Sequence, residues 1–157
     1  MLRITKESDY AIMLLVHLSE APTGQIVTAR EIAERTGLPL PMVGKILRGL
    51  VREGVLSSHR GGAGGYSFDR SASDTSVAEV IRAVEGPISM VQCGAEPGAC
   101  DQEPSCPTRP NWVQISRAIE ATLEGIPISS MRGERRAGES LLALADDASD
   151  RVGPRAG

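Results

Sequence analysis

A chain of 157 residues and 16.6 kDa sets the scale of one domain, or of one small domain with an appendage. Apolar residues make up 41%, too many for a disordered chain, and one Phe, two Tyr and one Trp leave an aliphatic core as the only option. No apolar run approaches the ~18 residues of a membrane span. Glu7, Asp9 and His17 also spoil the stretch Ala11 to Leu18 as a secretory signal, so the chain is expected in the cytoplasm, away from membranes.

The first helix is predicted from about Lys6 to Glu20, with Tyr10, Met13/Leu14, His17/Leu18 and Ala21 at helical spacing and Pro22-Thr23-Gly24 as its stop. A short second helix spans about Ala29 to Arg35. Thr28 and Glu31 form a T-x-x-E capping box at its start, and Gly37 turns the chain at its end. The third helix opens near Pro41, where a missing N–H costs nothing. Val43, Ile46, Leu47 and Leu50 form its buried stripe. Two short extended runs, Val55 to Arg60 and Tyr66 to Phe68, flank Gly61-Gly62-Ala63-Gly64-Gly65 and read as a β-hairpin. Ser76 and Glu79 open a further helix to about Glu85, stopped by Gly86-Pro87. Residues 87–110 hold five prolines and all three cysteines and read as a long irregular loop of the kind that binds something. A last helix runs from Asn111 to about Glu124, with Trp112, Ile115, Ile119 and Leu123 on one face. That stripe has no evident partner within so small a domain and marks a dimerisation helix.

The expected class is therefore mainly α with a small β-hairpin wing. A winged helix-turn-helix DNA-binding domain occupies residues 1–70, a linking helix and loop 71–92, and a cysteine loop 93–110. The dimerisation helix and its end segment fill 111–131. Residues 132–157 form a tail expected to be largely disordered, with some helix from Glu134 to Ala145.

The net charge of −3 speaks against nucleic acid only if it is evenly spread. It is not: residues 1–70 carry nine Lys/Arg and seven Asp/Glu, a balance of +2, and the remainder carries −5. A helix-turn-helix lays its second helix in the major groove. Here that helix presents Pro41, Met42, Lys45 and Arg48, with Arg52 a turn further toward phosphate. Gly44 and Gly49 are expected to let the backbone approach closely. Thr28 joins this set from the turn before the second helix, and Arg60 at the wing tip suits the negative potential of a minor groove. The competing reading, a merely solvated basic face, explains any one of these residues but not the order of elements together with the wing.

Cys93, Cys100 and Cys106 lie within 14 residues, with six and then five residues between them. Three thiolates in one loop suit Zn, Cu(I) or an iron–sulfur centre. Structural zinc sites favour a tighter C-x2-4-C pair, so the wide spacing fits a larger cluster better. Unrelated reduced thiols are the remaining reading. Three ligands leave such a centre one short.

These residues together resemble the IscR/NsrR-type family of winged-helix, iron–sulfur-sensing bacterial transcription regulators. The resemblance runs through Leu2-Arg3-Ile4-Thr5-Lys6 to Asp9-Tyr10-Ala11, the wing Arg60 to Tyr66, Val77-Ala78-Glu79-Val80-Ile81 to Gly86-Pro87, and the three cysteines through Trp112. It covers about residues 1–131. Within the family the chain is most similar to regulators of SUF-type cluster assembly. The resemblance implies a homodimer on an operator, crossed through its C-terminal helices. Each subunit would hold a [2Fe–2S] or [4Fe–4S] cluster on Cys93, Cys100 and Cys106. The IscR-type histidine three residues past the third cysteine is here Arg109, whose guanidinium stays protonated and cannot ligate. In the NsrR branch an aspartate of the partner subunit completes the centre. Asp9 stands at that place, with Glu7 as reserve, although a carboxylate in a first helical turn also serves the helix dipole.

The expected function is a cluster-sensing repressor of iron–sulfur assembly genes. A nitric oxide-responsive repressor and a zinc-stabilised interaction module are the alternatives. Enzymatic activity is not expected: there is no catalytic carboxylate pair or nucleophile–base pattern, and no Lys-Ser/Thr follows the Gly61–Gly65 run at P-loop spacing.

Overall fold

The computed structural model describes residues 4–62 and 64–132. Nearly all of the proposed tail, with its Glu134–Ala145 segment, lies outside them.

Helix α1 (Lys6–Leu18) is capped by Thr5, whose hydroxyl accepts from the Ser8 N–H. It buries Ala11, Ile12, Leu14, Leu15 and Leu18, while Tyr10, Met13 and His17 stay half-exposed. Of the predicted series, Leu14 and Leu18 are buried and Tyr10 and Ala21 pack against the core from its edge. α1 packs against α2 (Ala29–Thr36), α3 (Leu40–Arg52) and α4 (Val77–Glu85), and a helix contacted on several sides buries a broad face rather than a 3.6-residue seam. His17 sits 3.6 Å from Glu20.

The Thr28–Glu31 capping box forms in full, and α2 ends at Gly37, whose φ of +71° fits a left-handed cap that a side chain would strain. α3 begins at Leu40, one residue earlier than expected, and buries the anticipated Val43, Ile46, Leu47 and Leu50. The wing is an antiparallel pair, β1 (Ser57–His59) with β2 (Gly65–Ser67), in the register Ser57↔Ser67, Ser58↔Tyr66 and His59↔Gly65. Val27 bridges to Tyr66 through two 2.9 Å hydrogen bonds, which fixes the wing to the turn before α2. Gly64 is required at the wing turn, because a Cβ there would fall 2.6 Å from the His59 carbonyl oxygen.

Ser76 caps α4, yet the second capping box is only half formed. The Glu79 carboxylate turns away from the Ser76 N–H and binds Arg70. The segment 87–110 contains a one-turn helix, α5 (Gln92–Ala95), and a 3-10 turn at Glu103–Ser105. Helix α6 (Arg109–Glu124) starts two residues before the expected Asn111. It lies on α4, where Arg82 pairs with both Glu120 and Glu124 at 2.6 and 2.8 Å. Beyond α6 the chain returns to the start of α4. The Val77 N–H donates to the Ile126 carbonyl and the Ile128 N–H to that of Thr75, with Ile128 fully buried.

Candidate nucleic-acid interface and cysteine loop

Helix α3 follows α2 after a three-residue turn, and burial of its apolar stripe turns Pro41, Met42, Lys45, Arg48 and Arg52 outward or to the rim. Pro39 caps it without a side-chain hydrogen bond, Pro41 has no N–H to offer, and the Met42 N–H already donates to the Pro39 carbonyl at 3.0 Å. Leu40 and Met42 are exposed at this end, and Leu40 was not among the sequence candidates. Exposed apolar groups at a reading helix suit thymine methyls. Leu40 stands three residues before Val43 and seven before Leu47, at the spacing of the buried stripe, so the sequence carried no signal for its exposure.

The basic residues fall into two pairs. Lys45 Nζ lies 2.9 Å from Glu7 of α1, and Arg52 Nε lies 2.9 Å from Glu53. Arg48 and Arg60 have no ion-pair partner among the described residues. Gly44 is buried beneath Arg48, and a Cβ there would approach Arg48 Nη1 to 3.2 Å. The expected role of Gly44 in backbone approach is therefore replaced by one in seating the Arg48 side chain. Gly49 faces open space. The Thr28 hydroxyl accepts from the Glu31 N–H at 3.2 Å and donates to Glu31 Oε2 at 2.7 Å, so it serves first as a helix cap. These bonds, the one from the Thr28 N–H foremost, hold the Glu31 carboxyl below its ordinary value.

The three cysteines are all free thiols: Cys93 is buried on α5, and Cys100 and Cys106 are half-buried. Glu103 organises the loop, accepting from the Gly98 N–H at 2.7 Å and pairing with Arg109 at 2.9 Å. The position that carries an IscR-type histidine is thus occupied by a guanidinium bound to the loop's own carboxylate. Gly98, Cys100, Asp101, Glu103, Pro104 and Arg109 line a cavity of about 560 Å³. The Ser116 hydroxyl accepts from the Met90 N–H at 2.9 Å and ties the loop to α6. Cys106 precedes the α6 N-terminus, with its Sγ 3.4 Å from Thr108 Oγ1. Hydrogen bonding to the Thr108 side chain, and then to its backbone, draws this thiol below its ordinary value. That bias favours thiolate, the metal-ligating form.

The donor chemistry of this loop therefore fits a thiophilic centre. No group of three or more His, Cys, Asp or Glu among the described residues is already gathered to hold a metal ion. Asp9 is exposed in the first turn of α1. Glu7, the reserve, is engaged by Lys45.

One contact chain connects the two regions. Glu85 ends α4, immediately before Gly86-Pro87 and the cysteine loop. Its Oε1 accepts from the Thr5 N–H at 3.1 Å, from Thr5 Oγ1 at 2.9 Å and from the Ser8 hydroxyl. Partial burial raises the Glu85 carboxyl, but these bonds together outweigh it and hold the group below its ordinary value. Glu7, in the same turn of α1, reaches Lys45.

The fold and this arrangement define a DNA-binding regulator with a winged helix. Residues 4–134 match the Rrf2 family, described as iron-dependent transcriptional regulators, and the chain belongs to that family. It is 29% identical over 131 residues to the HTH-type transcriptional regulator IscR of Klebsiella pneumoniae, covering 83% of this chain and 79% of that one. Its fold matches the IscR structure from T. potens with a TM-score of 0.63 at 24% identity, over 88% and 93% of the two chains. It matches CymR, the global cysteine regulator of B. subtilis, with the same TM-score at 23% identity, over 83% and 96%. These relatives are transcription regulators, not enzymes. Among the described residues, no helix is long and apolar enough to cross a membrane.

Proposed function

We propose that this Rrf2 regulator acts as a homodimer that senses an iron–sulfur cluster and represses iron–sulfur assembly genes of the SUF type. The observation that carries the reading is the set of three free cysteines within 14 residues, one thiol biased toward thiolate, beside a winged helix with an open Arg48. Cys93, Cys100 and Cys106 would hold the cluster, [2Fe–2S] or [4Fe–4S], with Asp9 of the partner subunit as the fourth ligand. When bound, the cluster supplies a redox- and supply-sensitive cross-link of the loop.

The chain's own residues would carry the signal. Gathering the cysteines re-shapes residues 87–106, which are separated from Glu85 by Gly86 alone. Glu85 holds the first turn of α1, and Glu7 of that turn holds Lys45 on the reading helix. Differential DNA affinity of the two loop states is required, since a ligand with equal affinity for both shifts nothing. Met42, Lys45 and Arg48 would read the major groove, Arg52 and Thr28 would lie toward the backbone, and Arg60 would enter the minor groove. Trp112 and Ile115 are exposed on α6, at 40% and 43%, and their face supports a dimer seam there.

Anaerobically purified protein tests this reading. A cluster absorbance band, iron with acid-labile sulfide, and operator affinity that changes on cluster loss are expected. Colourless, metal-free protein with unchanged operator binding would reject cluster sensing, and zinc in place of iron and sulfide would favour an interaction module. The exposed Asp9 supports a second reading, a nitric oxide-responsive repressor. Titrating nitric oxide against cluster absorbance and operator binding separates the two. An Asp9→Ala variant with an unaltered spectrum and cluster lifetime removes Asp9 as a ligand.

A further inference from the structure

The wing carries a hydrogen-bonded series that neither the cysteine loop nor the reading helix uses. His59 Nε2 lies 2.7 Å from the Ser67 hydroxyl, and Ser67 Oγ donates to Asp69 Oδ1 at 2.6 Å. The order excludes a hydrolase-like triad. The carboxylate engages the serine rather than the imidazole, and Ser67 is fully buried. What the series does is fix a tautomer. Ser67 has one hydroxyl proton and gives it to Asp69, so toward His59 it can only accept, and Nε2 must carry a proton. The second proton of the ring can then enter only at Nδ1, which has no hydrogen-bond partner among the described residues.

The location gives that proton a use. The register aligns Ser57 and His59 on the same face of β1, and His59 is exposed immediately before Arg60, the cation of the wing tip. The charged groups around the ring come from few elements. Asp69, after β2, stands behind Ser67. Arg60 adjoins on the turn, and the Val27 segment paired with β2 brings no titratable side chain of its own. Hydrogen bonds from Ser57 and Ser67 hold the Asp69 carboxyl below its ordinary value, so it stays anionic behind Ser67.

We infer that His59 is a phosphate-contacting residue of the wing, its imidazole charged by a proton taken up at Nδ1 when duplex DNA is bound. The inference rests on the DNA-binding character of the family and is independent of any cluster. Binding and protonation are linked: a group that is more protonated in the complex makes affinity rise as pH falls through the histidine range, about pH 8 to 5. A single proton limits the gain to tenfold per pH unit.

The test is affinity for a labelled mixed-sequence duplex DNA at low salt, measured from about pH 8 to about pH 6. The full chain is expected to bind several-fold more tightly at the lower pH, with a salt slope steeper by about 0.9 for one added phosphate contact. His59→Gln flattens this profile. His59→Lys restores tight binding without the pH dependence. His17→Gln, at the only other histidine of the chain, leaves the profile as it was. A His59→Gln profile as steep as the parent's, or a His59→Lys variant that still follows pH, overturns the inference alone. Failure of the parent to bind duplex DNA at any pH overturns the DNA-binding reading with it.

Discussion

The winged-helix half and the cysteine-loop half of this chain are built on different terms. Among the described residues 21 apolar ones are buried; nineteen lie between Ala11 and Ala83, and only Cys93 and Ile128 follow. Helix α3 buries five of its thirteen residues, whereas α6 buries only Ser116 of sixteen. The first region closes a core within one subunit and so fixes the reading helix rigidly. The second is held by single hydrogen bonds and ion pairs, such as Met90 to Ser116, Glu103 to Arg109 and Arg82 to Glu120. Free energy of opening follows buried apolar contact, so a region built this way opens first. A loop proposed to gather ligands, and a helix proposed to find a second copy, belong at that end of the scale.

The sharpest way to break the contrast is a pair of truncations. Leu47 is fully buried, and Leu47→Ala is expected to cost about 3 kcal/mol, within the range of roughly 2 to 5 for such sites, by urea unfolding. Ile115→Ala should change the same measurement by no more than about 0.5 kcal/mol at a protein concentration where subunits are dissociated. Replacing Trp112 and Ile115 together by Asp should instead lower the sedimentation-derived mass toward one subunit. If Ile115→Ala proves as costly as Leu47→Ala in the monomer, α6 belongs to the core and the contrast fails.

Within the winged-helix half the four cations are not equivalent. Arg48 has no ion-pair partner among the described residues, while Arg52 is already bonded to Glu53. Arg48→Ala should weaken operator binding by about 1 to 3 kcal/mol and relax preference at one base position. Arg52→Ala should weaken specific and mixed-sequence duplexes alike and lower the salt slope by about one. Equal losses of discrimination in both variants would show that α3 is seated differently in the groove. Thr28→Ala should cost about 1 kcal/mol of stability through its lost cap, measurable by thermal unfolding, before any effect on DNA is counted.

What was legible in the sequence follows the range of the interactions. The Thr28–Glu31 box and the Val43–Leu50 stripe are local patterns, and both are present as read. The Ser76–Glu79 box has the same spelling, yet only its first half forms, because Arg70 takes the Glu79 carboxylate. The α1 series found Leu14 and Leu18 but not the full breadth of the buried face, because periodicity describes one packing surface and this helix has several. At the site, the outward turn of Met42, Lys45 and Arg48 was readable from the complement of the buried stripe. The Lys45–Glu7 pair spans 38 positions and left no sequence signal, nor did the seating of Arg48 over Gly44. The clustering of the cysteines is plain from spacing alone, but how such a loop closes depends on contacts that spacing does not encode.

The smallest expected effect lies at the joint between the halves. Glu85 is the last residue of α4 and accepts three bonds from the first turn of α1. An anionic side chain at a helix C-terminus opposes that helix's dipole, but here it also faces the N-terminus of α1, which favours it. Its folded-state carboxyl lies below the ordinary value. The stability it contributes is therefore present above the unfolded value of about 4.3 and is lost as pH falls through the lower folded one. Glu85→Gln should be slightly less stable than the parent at neutral pH, and the gap between their urea midpoints should close on acidification below about pH 4.3. A gap that stays constant across that range would mean that the contact is made by shape rather than charge. The joint would then transmit position from the cysteine loop to α1, and the ionisation of Glu85 would have no part in the coupling.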